Sequence, residues 1–226
     1  VTAMPVVDED GRLVGVVGAS TLMDILRREH VEDLHRLAGI AREPGEADQA
    51  RQALTAPPLR RARHRLPWLL VGLAGSMVAT YIVSRFEATL EARPMLAFFV
   101  PGLVYLADAI GTQTEAVAVR GLSLSRQPLG RMLAAELRTG LLMGLVLGLL
   151  ALPMIWLVFG DLALATAVAL ALGGASMVAT GLGLLLPWGL TRLGLDPAYG
   201  SGPLATIVQD LLSLLIYFGC VTAVVL

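Results

Sequence analysis

Residues Pro203–Leu226 read PLATIVQDLLSLLIYFGCVTAVVL, an apolar run of 24 residues with one charged side chain, Asp210. At 1.5 Å of rise per residue, a helix of this length crosses a hydrocarbon layer of roughly 30 Å. Asp210 lies two turns in, so roughly 10 Å along the helix axis. A carboxylate at that depth costs about 2.5 kcal/mol or more to insert, and water, a partner charge or a cation has to offset it. A structural Asp bonded to a helix end near the interface is the alternative. The depth favours a functional site.

The rest of the chain has the same character. It has 226 residues, 56% of them hydrophobic. The mean hydropathy of +0.72 lies far above that of a soluble domain. The apolar residues come in long blocks, at about Leu66–Phe86, Pro94–Val119, Leu133–Phe159, Leu162–Leu190 and Pro203–Leu226. Each is long enough to span, so the fold class is an all-α polytopic membrane protein with five transmembrane helices per subunit. The net charge of −1 gives no ground for a nucleic-acid partner, and all 17 basic residues are Arg. Nothing aromatic interleaves the LRRARHR cluster at 59–65, so it reads as an anchor at the cytoplasmic interface of the first span.

Arginine placement sets the orientation. With the N-terminus in the cytoplasm, nine Arg flank the spans on that side and two, Arg85 and Arg93, lie outside. Five spans then put the C-terminus outside, in a protein of the cytoplasmic membrane. The single Cys220 allows no intrachain disulfide and reads as a small apolar residue. The sequence opens at Val1 with neither Met nor signal peptide, which suggests that an N-terminal part precedes it.

Ahead of the spans, Met4–Val7 and Leu13–Val17 are β-rich runs joined by the acidic turn Asp8-Glu9-Asp10-Gly11. A helical pattern follows at Leu22, Ile25 and Leu26, with Ser20 or Thr21 as the expected N-cap. The order strand, acidic turn, strand, helix over residues 1–30 resembles the C-terminal half of a CBS domain, a paired module that senses nucleotides or ions. Residues 31–65 read as a connecting helix and linker, with a loop at Glu43–Asp48 and a second helical stretch leading to Pro57-Pro58.

Two further acids are embedded in the second apolar segment. Asp108 and Glu115 are seven residues apart, which puts both on one side of a helix, with Thr112 between them. Glu115 is expected nearer the cytoplasmic mouth, close to Arg120, and Asp108 deeper. In the last segment Thr206 precedes Asp210 by four residues and shares its face. Asp196-Pro197 and Gly200-Ser201-Gly202-Pro203 form a structured entrance, with Pro203 suited to a first helical turn. Gly140, Gly144 and Gly148 repeat at four-residue spacing and indicate close helix packing, and Gly111 allows a bend or a close approach. Carboxylates, hydroxyls and carbonyls suit hard cations, Mg²⁺, Ca²⁺ or Mn²⁺, over zinc or copper. Proton relays use the same groups. No HExxH, nucleophile elbow or phosphate loop is present, so an enzyme is not expected.

The stretches RLPWLLVGL at 65–73, GTQTEAVAVRGL at 111–122 and LGLDPAYGSGPLATIVQDLLSLLIYFG at 193–219 are similar to the membrane domain of the MgtE family of magnesium channels. The resemblance implies a homodimer in the lipid bilayer with a pore on its axis and passive movement of Mg²⁺, with Mn²⁺ or Ca²⁺ as alternatives. It implies that Asp210 is the pore-lining metal ligand and that Thr206 contributes one turn earlier. Asp108 and Glu115 complete the candidate metal set. Gly202 falls where some members carry a pore Asn, and Asp108-Ala109 stand where the family often shows Gly-Asn, a departure that could favour a second cation site or transition-metal transport. The domain expectation is a partial CBS module at 1–30, a connecting segment at 31–65 and a cation-conducting domain at 66–226. Family members close the pore at high cytoplasmic Mg²⁺ through a larger soluble region. With only its last part in this sequence, conductance is expected to be nearly flat in cytoplasmic Mg²⁺. The competing reading is a proton- or sodium-coupled divalent metal carrier using Asp108, Glu115 and Asp210; inverted repeats, which would favour it, are not evident.

Overall fold

The computed structural model describes residues 3–40, 57–124, 127–198 and 201–226. The expected loop at 43–48 and the second helical stretch before Pro57 lie outside the described residues.

Strands β1 (Ala3–Val7) and β2 (Leu13–Gly18) pair antiparallel, Ala3 opposite Gly18, with a register irregularity between Val6 and Val7. The acidic turn is held by its own side chain. Asp8 Oδ1 accepts from the amides of Asp10 at 3.1 Å and Arg12 at 2.8 Å, and Gly11 takes φ +77°. Helix α1 (Ala19–Leu37) follows directly, with Gly18 at its N-cap and no side-chain cap. The expected cap at Ser20 or Thr21 is therefore not used, because β2 runs straight into the helix and both residues already lie in its first turn. The helix also passes unbroken through residue 30, so the expected boundary between 1–30 and 31–65 falls inside it. It stops at Gly39, whose φ of +68° suits glycine.

Five helices among the described residues are long and apolar enough to cross a membrane. Helix α2 (Pro58–Ser84) begins eight residues before the apolar run expected at Leu66. Pro58 fits a first helical position, and the Arg-rich stretch behind it is a good helix former. A short α3 (Glu87–Ala92) and a 3-10 turn (Pro94–Phe99) lead into α4 (Val100–Leu124). Helix α5 (Leu129–Phe159) ends on Gly160, φ +70°. The carboxylate of Asp161 caps α6 (Leu162–Arg192), accepting from the Leu164 amide at 2.9 Å. The last span is α7 (Ser201–Val224).

Helix α6 is the centre, packed against α4, α5 and α7. Its inward residues are small: Ala165, Ala167, Ala171, Ala175 and Ala179 are all buried. Small side chains let helix backbones approach, which stands in for the hydrophobic drive that lipid does not supply. The glycine repeat of α5 fits this face. A Cβ on Gly144 would stand 2.7 Å from the Cα of Gly173, and one on Gly148 2.9 Å from the carbonyl oxygen of Ala169. At the far end of α7, the Tyr217 hydroxyl donates to the Leu96 carbonyl at 2.7 Å, and Phe218 stacks on Phe86 at 4.2 Å. Helix α2 buries no residue and packs chiefly on α7, where Gly75 receives Ile207.

Candidate functional site

Helices α4 and α7 lie side by side, and their polar residues meet in the first half of α7. Most helical hydroxyls bond back to their own helix, as Thr114 does to the Ile110 carbonyl at 3.1 Å. Thr206 instead reaches across, and its Oγ1 donates to Asp108 Oδ1 at 3.0 Å. Asp210 lies one turn further along, half-buried like Asp108 and Thr206, and close enough to Asp108 for the two charges to repel. The seam thus holds two carboxylates and a hydroxyl, all oxygen donors. Among the described residues no group of three or more His, Cys, Asp or Glu side chains is placed to hold a metal ion. Two carboxylates of one subunit give at most a partial shell for a hard divalent ion, which leaves room for retained water or for a second subunit's groups.

Asp108, Thr112 and Glu115 do not share one open stripe, as the seven-residue spacing had suggested. Thr112 is exposed, Asp108 half-buried and Glu115 only 2% exposed. Seven residues bring the helix back to within about 20° of the same direction, so Asp108 and Glu115 do share a side. They differ in what covers them, because two turns on Gly183 of α6 closes on the Glu115 backbone and the first turn of α7 lies over its carboxylate. Its Oε2 lies 3.9 Å from where a Cβ on Gly202 would be, beside the first turn of α7. A carboxylate there meets the positive end of the helix dipole. Glu115 is therefore enclosed within the subunit and does not open directly to solvent.

The first turn of α7 is also where α1 docks. A Cβ on Gly202 would overlap the Leu37 carbonyl oxygen, and one on Gly39 would stand 2.6 Å from Pro203 and 3.1 Å from Trp68. Arg36 forms ion pairs with Glu32 and with Asp196 of the loop between α6 and α7. Asp196 also accepts from the Ala198 amide at 2.8 Å, which shapes the Asp-Pro entrance read from the sequence. Burial, and then the neighbouring Asp196, push Asp33 above the usual carboxylate range. This docking was missed in the sequence. Arg36 and Asp196 are 160 positions apart, and only the glycines at 39 and 202 signalled a close approach. Gly202→Ala should free the end of α1, read as faster amide exchange in its last turn by about fivefold or more, as expected for overpacking of 1 kcal/mol or more. Unchanged exchange would mean that this contact does not hold α1.

Five spans with a carboxylate-bearing seam between two of them define a polytopic integral membrane protein. The family model for MgtE, described as a divalent cation transporter, matches residues 100–220. The chain belongs to the MgtE family. It is similar to the magnesium transporter MgtE of Bacillus subtilis (strain 168), at 36% identity over 98% of this chain and 48% of that protein. Against the magnesium transporter MgtE of Enterococcus faecalis the identity is 34%, over 96% of this chain and 46% of the relative. Against that of Thermus thermophilus it is 35%, over 96% and 47%. The chain spans about half the length of these curated relatives.

Proposed function

We propose that this chain forms the membrane part of a passive divalent-cation pathway, with Mg²⁺ as its principal ion, in the cytoplasmic membrane. The observation that carries the reading is the Thr206–Asp108 hydrogen bond of 3.0 Å, which ties the second acid to the helix that bears Asp210. Membership of a family described as divalent cation transporters supports it, and so do relatives named magnesium transporters. The pathway lies on the axis of a homodimer, where two-fold symmetry doubles Asp210 into a paired site. Asp210 is the main ligand, with Asp108 and Thr206 beside it. Glu115 stands behind the wall of the seam, beside the first turn of α7. The Arg-rich end of α2 faces the cytoplasm, and the chain leaves α7 on the outer side. Residues 1–30 serve as half of a sensing module that reaches the membrane domain through α1, and residues 66–226 form the conducting domain.

Flux of Mg²⁺, Mn²⁺ and Ca²⁺ into proteoliposomes, with and without a pH gradient, tests this. Uptake independent of the gradient is expected; uptake only with the gradient would point to a coupled carrier. Within the seam, Asp108→Asn should change the Mg²⁺ to Mn²⁺ flux ratio about tenfold, the equivalent of 1.4 kcal/mol of differential binding. Glu115→Gln should change it less, because that carboxylate is enclosed. An equal response in both variants would remove Asp108 from the pathway.

A further inference from the structure

Hydroxyls in the spanning helices commonly satisfy themselves on the preceding turn. Thr139 donates to the Ala135 carbonyl at 3.0 Å, Thr166 to Leu162 at 2.8 Å and Thr222 to Phe218 at 2.8 Å. Ser213 of α7 does not. It is 0% exposed, and its Oγ has no hydrogen-bond partner among the described residues. One turn earlier, Gln209 is 1% exposed, and its Nε2 is also without a partner among them. Both sit on the buried ridge of α7 that continues through Tyr217 and Val221. Orphaned polar groups inside a membrane protein are expensive, and two on one ridge, one turn apart, call for a common partner.

The neighbouring helix shows how the amide is accommodated. A Cβ on Gly111 of α4 would overlap Gln209 Oε1 and stand 2.8 Å from its Cδ. The amide therefore occupies a notch that exists only because residue 111 lacks a side chain. From the far side, Gly183 of α6 closes on the same turn, its Cβ position 2.9 Å from the Gly111 carbonyl oxygen. The wedge is thus held by three helices.

We infer that Gln209 Nε2 and Ser213 Oγ share ordered water inside the subunit, and that this hydrated wedge fixes the rotation of α7 that turns Asp210 toward the pathway. Buried waters typically bind about three otherwise unsatisfied polar groups. An NH₂ donor facing the site suits water and disfavours a metal ion. Gln209 and Asp210 are consecutive, about 100° apart around the axis, so fixing the amide in α4 fixes the direction of the carboxylate. Gln209 is a positioning residue. The inference rests on the proposed role of Asp210 in conduction.

The test uses the full chain carrying Cys220→Ala and Asp210→Cys, reconstituted in vesicles. It follows the rate at which a small charged, water-borne thiol reagent labels position 210. Gln209→Met keeps the length and removes the amide; Ser213→Ala removes only the hydroxyl. Each should slow labelling about fivefold or more, the effect of withdrawing one partner from a buried polar contact. Thermal melting verifies folding, and if Gln209→Met does not fold, Ser213→Ala decides. Unchanged labelling in both variants overturns the proposal, and so does slowing in Gln209→Met alone, which would leave no shared water. Labelling needs no transport. Absent cation flux in the unmodified protein would therefore sink the conduction reading without deciding this one.

Discussion

Asp210→Ala should reduce divalent-cation flux to the level of protein-free vesicles while leaving the protein folded and its oligomeric state unchanged. The carboxylate is half-buried on a spanning helix, with Asp108 and Thr206 as its near neighbours on the seam. At 4 Å and an effective dielectric of 20, one pair of unit charges attracts by about 4 kcal/mol. Losing that attraction for a cation slows its entry about a thousandfold. Stability moves the other way, because removing a charge from a spanning segment also removes its insertion cost. Proteoliposome flux and size-exclusion chromatography on the same preparation check both halves. Wild-type flux in the variant would end the proposal that Asp210 is the main ligand.

Gly144→Leu should be the most damaging change to folding. The Cβ alone would stand 2.7 Å from the Cα of Gly173 and 3.1 Å from the carbonyl oxygens of Gly173 and Leu172. These are backbone atoms of α6, which cannot swing aside like a side-chain tip. A few surplus methylenes in a packed core cost about 1–3 kcal/mol, and this substitution adds a whole side chain between two backbones. The melting temperature in detergent should fall by several degrees or more, with less folded protein recovered. Gly102→Leu is the control. Nothing lies within 4 Å of its Cβ position and the residue is exposed, so its melting should barely change. Equal melting of the two variants would mean that the α5–α6 seam is not close-packed in the membrane.

What was legible in the sequence follows from how local each signal is. Span number depends on apolar length, and five runs gave five helices. The glycine repeat at 140–148 was readable because a four-residue spacing has one helical meaning, and the structure places all three glycines against α6. The Asp8–Gly11 turn carries its own hydrogen-bond acceptor. The failures were matters of degree or distance. Residues 58–65 are polar but helical, so hydropathy started α2 too late. The spacing of Asp108 and Glu115 said that they share a side, yet it could not say where that side changes from seam to interior. Gln209 gave no signal beyond being polar in an apolar run. Its meaning depends on Gly111, nearly a hundred positions earlier, and only the packed bundle brings the two together.

The contrast between α2 and α7 bears on how the protein is made and policed. Helix α2 asks for little polar company, because the hydroxyls of Ser76, Thr80 and Ser84 bond to carbonyls of their own helix. Helix α7 is different: apolar enough to enter the bilayer, it carries Thr206, Gln209, Asp210 and Ser213, which find or need polar company. Entry and docking are thus separate events for α7, and α4 and α6 must already be in place to receive it. An undocked α7 displays a carboxylate, an amide and two hydroxyls to the acyl chains. That display is the kind of mark a membrane protease can recognise, so weakening the α4–α6 contact should lower the amount of protein in the cell before any defect in transport is measured.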